Sequence, residues 1–181
     1  MSLKSAIQSF VAVMLAAFAL SALAQQPTSA VAPKPNPLDV VPDKMPADIP
    51  YGAPISLDQA QAAINAAVAE SKKRGWKFNV AAVDSGGNLV AFARMDGAQI
   101  GSIVISEHKA RAAAIFRRET KVFEAGIQAG NNYLITLDGV IGSRGGIPLL
   151  QDGKLIGAIG CSGGTGSQDE VVAKAGIAAV K

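Results

Sequence analysis

Ile156-Gly157-Ala158-Ile159-Gly160-Cys161-Ser162-Gly163-Gly164-Thr165-Gly166-Ser167-Gln168-Asp169-Glu170 is the stretch on which the reading of this chain turns. An apolar strand ends in it, a glycine-rich bend follows, and a helix begins. Ser167 and Glu170 fit the spacing of a capping box, in which a hydroxyl and an acid each take a free amide of the first turn. The helix beyond it carries an apolar stripe of Val171, Val172, Ala175, Ala178 and Ala179. The bend has the shape of an anion cradle at a helix start. Asp169 and Glu170 in the first turn would repel phosphate, which argues against a nucleotide site there.

Working upstream, Ile147 to Leu150 and Leu155 to Cys161 read as strands joined through Gln151-Asp152-Gly153-Lys154, where Asp-Gly is a strong hairpin signal. A second hairpin is expected from Phe78–Val83 and Leu89–Met95, closed by Asp84-Ser85-Gly86-Gly87-Asn88. Between the hairpins, Ser102 caps a helix from Ile103 to about Arg117. A short helical piece follows from Lys121 to Ala129, and Leu134 to Ile141 is ambiguous. Ahead of the first hairpin, Ser56 and Gln59 form another capping box. Its helix carries Ala60, Ile64, Ala67, Val68 and Ser71 on one face and closes with Lys72, Lys73, Arg74 and Gly75. Two hairpins with helices between and around them predict an α+β fold, an antiparallel sheet with helices packed on its faces.

The rest of the 181 residues is organised differently. Residues 1–24 have the pattern of a cleaved secretory signal: Lys4, an apolar run from Phe10 to Leu23, and a small-residue site at Ala22-Leu23-Ala24. Gln8 and Ser9 shorten the run below the ~20 residues that span a bilayer, which argues against a retained anchor. The predicted location is periplasmic or secreted, with no stable membrane span after cleavage. Residues 25–54 hold eight of the nine prolines and read as a linker or arm. The alternative is an arm that packs on a neighbouring subunit through Ile49, Tyr51 and Ile55. Residues 55–181 suit one domain.

The mature charge of +2 (16 Lys and Arg against 14 Asp and Glu) is too small to imply a nucleic-acid partner. A lone cysteine, Cys161, excludes an internal disulfide and reads as a buried structural thiol.

In the central helix Lys109 falls among Ile105, Ala112, Ala113 and Phe116, so its ammonium leaves from an apolar face. It has two readings: it snorkels to water, or it enters a pocket and meets a ligand carboxylate or a buried acid. Glu107 and Arg111 are spaced for an i,i+4 pair on the opposite side. His108, the single histidine, is either a boundary side chain with one hydrogen bond or a metal ligand. One His and one Cys fall short of a zinc site. Haem iron asks for less, since one axial His, Tyr or Met suffices, and His108, Tyr51, Tyr133 and Met95 are the candidates. Arg94 and Arg144 either pair with acids on the protein surface or bind an acid ligand.

The ordered set of motifs resembles the GlcG/HbpS-like family, the haem-binding or "haem-degrading" domain also found at the end of PduO-type proteins. The matching pieces run from Val83-Asp84-Ser85-Gly86-Gly87-Asn88-Leu89-Val90 and Arg94-Met95-Asp96-Gly97-Ala98 to Lys109-Ala110-Arg111-Ala112-Ala113 and Phe116-Arg117-Arg118-Glu119-Thr120. Gly145-Gly146-Ile147-Pro148 and the stretch from Gly157 to Gly176 complete them. The resemblance implies a profilin-like α-β-α sandwich, homo-oligomers, and haem as cofactor or ligand. It places Lys109, Arg94, Asp96 and the Gly145-Gly146-Ile147-Pro148 turn at family motif positions, and with Arg144 beside that turn Lys109, Arg94, Asp96, Gly145 and Gly146 are the candidate ligand-binding residues. Ala112 stands where the family commonly has threonine, and Cys161 where valine is usual. Three functions are compatible: an exported small-molecule binder with haem leading, for storage or degradation; an enzyme on a small hydroxy or oxo acid using Lys109; and an oligomeric partner-binding module without catalysis.

Overall fold

The computed structural model of the protein describes residues 41–45 and 48–180. The expected secretory signal and most of the proline-rich arm lie outside the described residues. The folded domain is the unit Lys44–Lys181.

Its elements are α1 (Leu57–Lys73), β1 (Asn79–Asp84), β2 (Leu89–Arg94), α2 (Ser102–Ile115), α3 (Lys121–Gln128), a short 3-10 turn (Asn132–Thr136), β3 (Gly146–Gln151), β4 (Lys154–Ser162) and α4 (Gly166–Ile177). The four strands form one antiparallel sheet in the order β2-β1-β4-β3. The Asp-Gly hairpin forms as expected, with both Asp152 (φ 50°) and Gly153 (φ 73°) in the left-handed region that a two-residue type I′ turn requires. In the other hairpin Asp84 folds the turn on itself: its Oδ1 accepts from the amides of Gly86 at 2.8 Å and Asn88 at 2.9 Å.

Strand alternation sends two sets of side chains to two cores. Val80, Ala82, Ile147, Leu149, Ile159 and Cys161 pack against α1 and α4 through Ala60, Ala63, Ile64, Ala67, Val172 and Ala173. On the other face Ala81, Val83 and Ala158 meet Ala110, Ala113 and Ala114 of α2. The result is the expected α-β-α arrangement. The α2 contact is very close, because Gly146 and Gly160, paired across β3 and β4, leave room for it. A Cβ on Gly160 would lie 2.1 Å from the Ser106 carbonyl oxygen, and one on Gly146 2.2 Å from that of Lys109.

Several local expectations need correction. The α4 capping box is Thr165 with Gln168, not Ser167 with Glu170. The Gln168 amide donates to Thr165 Oγ1, and the Gln168 side chain accepts from the Thr165 amide. Glu170 is unavailable for capping because three cations hold it from the protein side. The buried stripe of α4 is accordingly Asp169, Glu170, Val172, Ala173 and Gly176, with Ala178 and Ala179 exposed. Ser102 does not cap α2 through its side chain; it is the first helical residue, and its hydroxyl is buried against Gln99 and Ser162. The face of α2 expected to be apolar is also rotated: Ile105 is exposed, whereas Ser106 and Ala110 are buried. The ambiguous stretch after α3 contributes only the 3-10 turn.

The end of the arm belongs to this same unit. Gly52 donates to Leu155 O and Leu155 to Pro50 O, while Ile55 is buried in the α1 core. Arg117 donates to Ile49 O at 2.8 Å and lies over the Tyr51 ring. Tyr51 and Ile55 are thus engaged within the protomer, where the sequence had offered a neighbouring subunit as an alternative.

Candidate functional site

The residues expected to form a site fall in three places. The first is the far end of β4, where the sheet, α2 and α4 meet. Lys109 does enter the interior and meets an acid: its Nζ lies 2.5 Å from Asp169 Oδ2 and 3.4 Å from Cys161 O, and both side chains are almost wholly buried. Asp169 Oδ1 accepts from the amides of Gly163 and Gly164. The glycine-rich bend is therefore filled by the chain's own carboxylate and offers those two amides to no phosphate. Burial pushes the Asp169 carboxyl above its ordinary range, outweighing the pull of Lys109 and the two amides.

Gly145 and Gly146 serve this pair. Gly145 has φ +115°, and a Cβ there would lie 2.7 Å from Asp169 Cβ. Gly146 lets α2 descend to the sheet. Arg144, which precedes the two glycines, binds Glu124 through its Nε at 2.9 Å and Nη2 at 2.7 Å. Glu170 takes Lys121 at 3.1 Å, Lys174 at 2.6 Å and Arg144 at 3.5 Å. The Arg144 hydrogen bonds hold Glu124 below its usual range, and that of Lys174 does the same for Glu170. Every charge in this cluster has a partner, so it reads as a structural junction between layers. Burial also pushes the Cys161 thiol up, which leaves it a neutral core side chain.

The second place is a cleft of about 420 Å³ between α2 and the Asp84–Asn88 turn. His108 faces it and is exposed, and its Nε2 donates to Gly139 O at 3.2 Å. Val104 and Leu89, both more than half exposed, supply apolar walls. Arg111 stands beside them with Nη1 3.3 Å from Gly87 O, so it turns to the turn backbone and not to Glu107.

The third place gathers Arg94, Met95 and Asp96 in a cleft of about 470 Å³ at the sheet edge with Trp76. Met95 Sδ is engaged inward by the Phe78 amide at 3.4 Å. Tyr51 donates to Ile115 O at 3.2 Å, and Tyr133 is exposed on the 3-10 turn. No group of three or more metal-ligating side chains occurs among the described residues.

Sequence reasoning singled out Lys109 but not its partner. A signal for Asp169 exists: it sits at the i, i+3, i+4, i+7 spacing of Val172, Ala173 and Gly176, an acid on the inward stripe. For Glu124 in the charged junction, and for Trp76 and Arg111 as cleft residues, no comparable signal exists, because their placement depends on elements distant in sequence.

An α-β-α sandwich with a lysine helix seated on paired glycines and an acid at the start of the last helix defines a small single-sheet domain class. The chain belongs to the family described as Haem degrading protein HbpS-like, which matches residues 55–178. Protein GlcG of Escherichia coli (strain K12) is 41% identical over 108 residues, 60% of this chain and 81% of that protein. Among solved structures, HbpS superposes with a TM-score of 0.68 at 30% identity, covering 74% of this chain and 95% of that one. A PduOC:heme complex does so at 0.65 and 28%, covering 71% and 96%.

Proposed function

We propose that this protein is an exported haem-binding protein that holds haem in the cleft between α2 and the Asp84–Asn88 turn. The observation that carries the reading is His108: the single imidazole of the chain stands exposed in a cleft with apolar walls and a guanidinium. One histidine suffices as an axial ligand, so the donor set fits haem although it fits no free metal ion. Val104 and Leu89 would lie against the macrocycle, and Arg111 would meet a propionate. The cleft volume falls within the ~300–1,000 Å³ of ordinary ligand sites. Family membership and the solved haem complex of a relative support the same ligand. Haem supplies a redox-active iron; the chain's own residues hold and orient it.

The reading of Lys109 as an electrophile for a small acid loses support, because its ammonium is buried against Asp169. Copies of the chain are proposed to associate, with exposed Ile100 and Ile105 on or beside α2 as the surface that favours it. No helix among the described residues is long and apolar enough to cross a membrane.

The test is a haemin titration of the protein and of His108→Ala, read in the Soret region. A saturable, shifted band that changes in the variant is expected; no saturable band overturns the reading. A band unchanged in the variant moves the iron ligand away from His108. N-terminal sequencing of the protein recovered outside the cytoplasm is expected to start at Gln25, and a retained Met1 removes the export proposal. Light scattering on the purified protein reports association.

A further inference from the structure

The haem reading leaves the cleft beside Trp76 unused. Its floor is apolar, made by Val68 of α1, Trp76, and Ala93 and Met95 of the edge strand β2 and its exit. An adjoining hollow of about 290 Å³ shares Gly75, Trp76 and Lys77 with it and lengthens the groove. Trp76 is held by its neighbours, since the Arg74 guanidinium lies 5.0 Å from its ring centroid and the Phe78 ring 6.1 Å away.

The charged side chains around this groove differ from those of the junction between the layers. Glu70 pairs with Arg74, Glu124 with Arg144, Asp169 with Lys109, and Glu170 with Lys121 and Lys174. Lys72, Lys77, Arg94 and Asp96 line one cleft, yet among the described residues none of these four side chains has an ion-pair or hydrogen-bond partner. Three cations against one carboxylate leave a local charge of +2 over a hydrophobic floor. Lys77 is positioned and not merely present: its chain lies across Gly97, where φ is +73° and a Cβ would meet Nζ at 2.9 Å. A larger residue at position 97 would push the lysine off the groove.

An apolar floor with an indole and uncancelled cations at its rim is the arrangement that recognises an amphipathic anion. The aromatic or aliphatic body lies on Trp76 and Met95, while carboxylates meet the Arg94 fork and Lys77. Asp96 restricts the occupant further: it repels a polyanion such as a polyphosphate and favours a hydroxyl or amine donor beside the acid. We propose that the Trp76 cleft is a second, separate binding site, for a small organic acid with one or two carboxylates on an aromatic or apolar body.

Trp76 is the single tryptophan of the chain, so its emission reports on this cleft directly. The experiment titrates the full chain with phthalate, an aromatic dicarboxylate, and with its neutral dimethyl ester. Emission of Trp76 and the indole N–H cross-peak are the two readouts. Phthalate is expected to give a saturable change at millimolar concentration or below, and the ester none. Arg94→Gln and Lys77→Gln each weaken phthalate binding about five-fold, in keeping with exposed ion pairs, and the double variant more than either. Circular dichroism confirms that the variants fold. Equal binding of the ester, an unchanged double variant, or no saturable change overturns the site. Saturating phthalate is also expected to leave a haemin Soret band in place; displacement would mean one shared cleft and would overturn the separateness of the two. Failure of haem to bind leaves the phthalate result untouched.

Discussion

Replacing Lys109 by Met keeps the length of the side chain and removes its ammonium. Asp169 is then left as an unpaired carboxylate in a site where its side chain is 4% exposed. Only the amides of Gly163 and Gly164 remain to it. Breaking one side of a buried ion pair costs about 3–5 kcal/mol, because the surviving charge keeps its desolvation penalty without the compensating attraction. A domain of this size has a total stability of about 5–15 kcal/mol, so the loss is about a fifth or more of it and lowers Tm by about 10–20 °C. The assay is urea and thermal unfolding by circular dichroism at pH 7. Adding Asp169→Asn to Lys109→Met removes the stranded charge while keeping an oxygen for the two amides. It is expected to recover about 2 kcal/mol. The pH dependence has a definite sign. A carboxyl whose folded pKa lies above its unfolded value gains stability as pH falls through the folded pKa, since the folded state holds the proton more tightly. Burial already raises Asp169, and loss of Lys109 raises it further. The deficit of Lys109→Met should therefore shrink as pH is lowered from 7 toward the ordinary Asp pKa of about 3.9. A deficit below about 1 kcal/mol, or a double variant as unstable as the single one, would refute a buried, stability-bearing ion pair.

Three further outcomes are expected from the same geometry. Gly160→Ala brings a methyl within 2.1 Å of the Ser106 carbonyl. It must lift α2 from the sheet, and unfolding experiments should show a loss of at least about 1–3 kcal/mol. In the wild type, Glu124 and Glu170 are held below their ordinary pKa by Arg144 and Lys174, so their contributions are present above about 4.3 and are lost as pH falls through the lowered folded values. Glu124→Gln should reduce that acid sensitivity in a stability–pH profile. Cys161 is fully buried with its thiol pushed toward the neutral form. Iodoacetamide should therefore label it in urea and leave it unmodified in buffer, and rapid labelling of the folded protein would contradict its placement.

Most of the fold is legible because its signals are local. Ser56 and Gln59 lie three residues apart and cap α1 as read. Asp152-Gly153 makes its turn from φ preferences alone, and the strands alternate as a sheet covered on both faces demands. Errors arise where tertiary contacts decide between local options of equal merit. Thr165–Gln168 and Ser167–Glu170 have the same spacing, and the choice falls to the first pair because Lys121, Lys174 and Arg144 claim Glu170. Lys109 stands out in sequence as a cation among apolar neighbours. Its partner lies 60 residues away, so only the sheet brings the two together. The candidate residues Arg94 and Asp96, Lys109 with Arg144 to Gly146, and His108 form an ordered set along the chain, yet they occupy three separate places in space. Order in sequence carried no information on that point.

The paired glycines under α2 have a mechanical consequence. Gly146 and Gly160 face one another across β3 and β4, and the helix backbone rests in the notch that they make. Neighbouring strand positions carry side chains, so a helix sliding along the sheet in either direction would run onto a Cβ. That element therefore has almost no slack, and His108 and Arg111 travel with it. The opposite wall is a five-residue turn whose shape is kept mainly by Asp84. A ligand in that cleft would meet one wall set by the sheet and another braced from within by Asp84 and tied to the helix through Arg111, so the two walls keep a fixed separation.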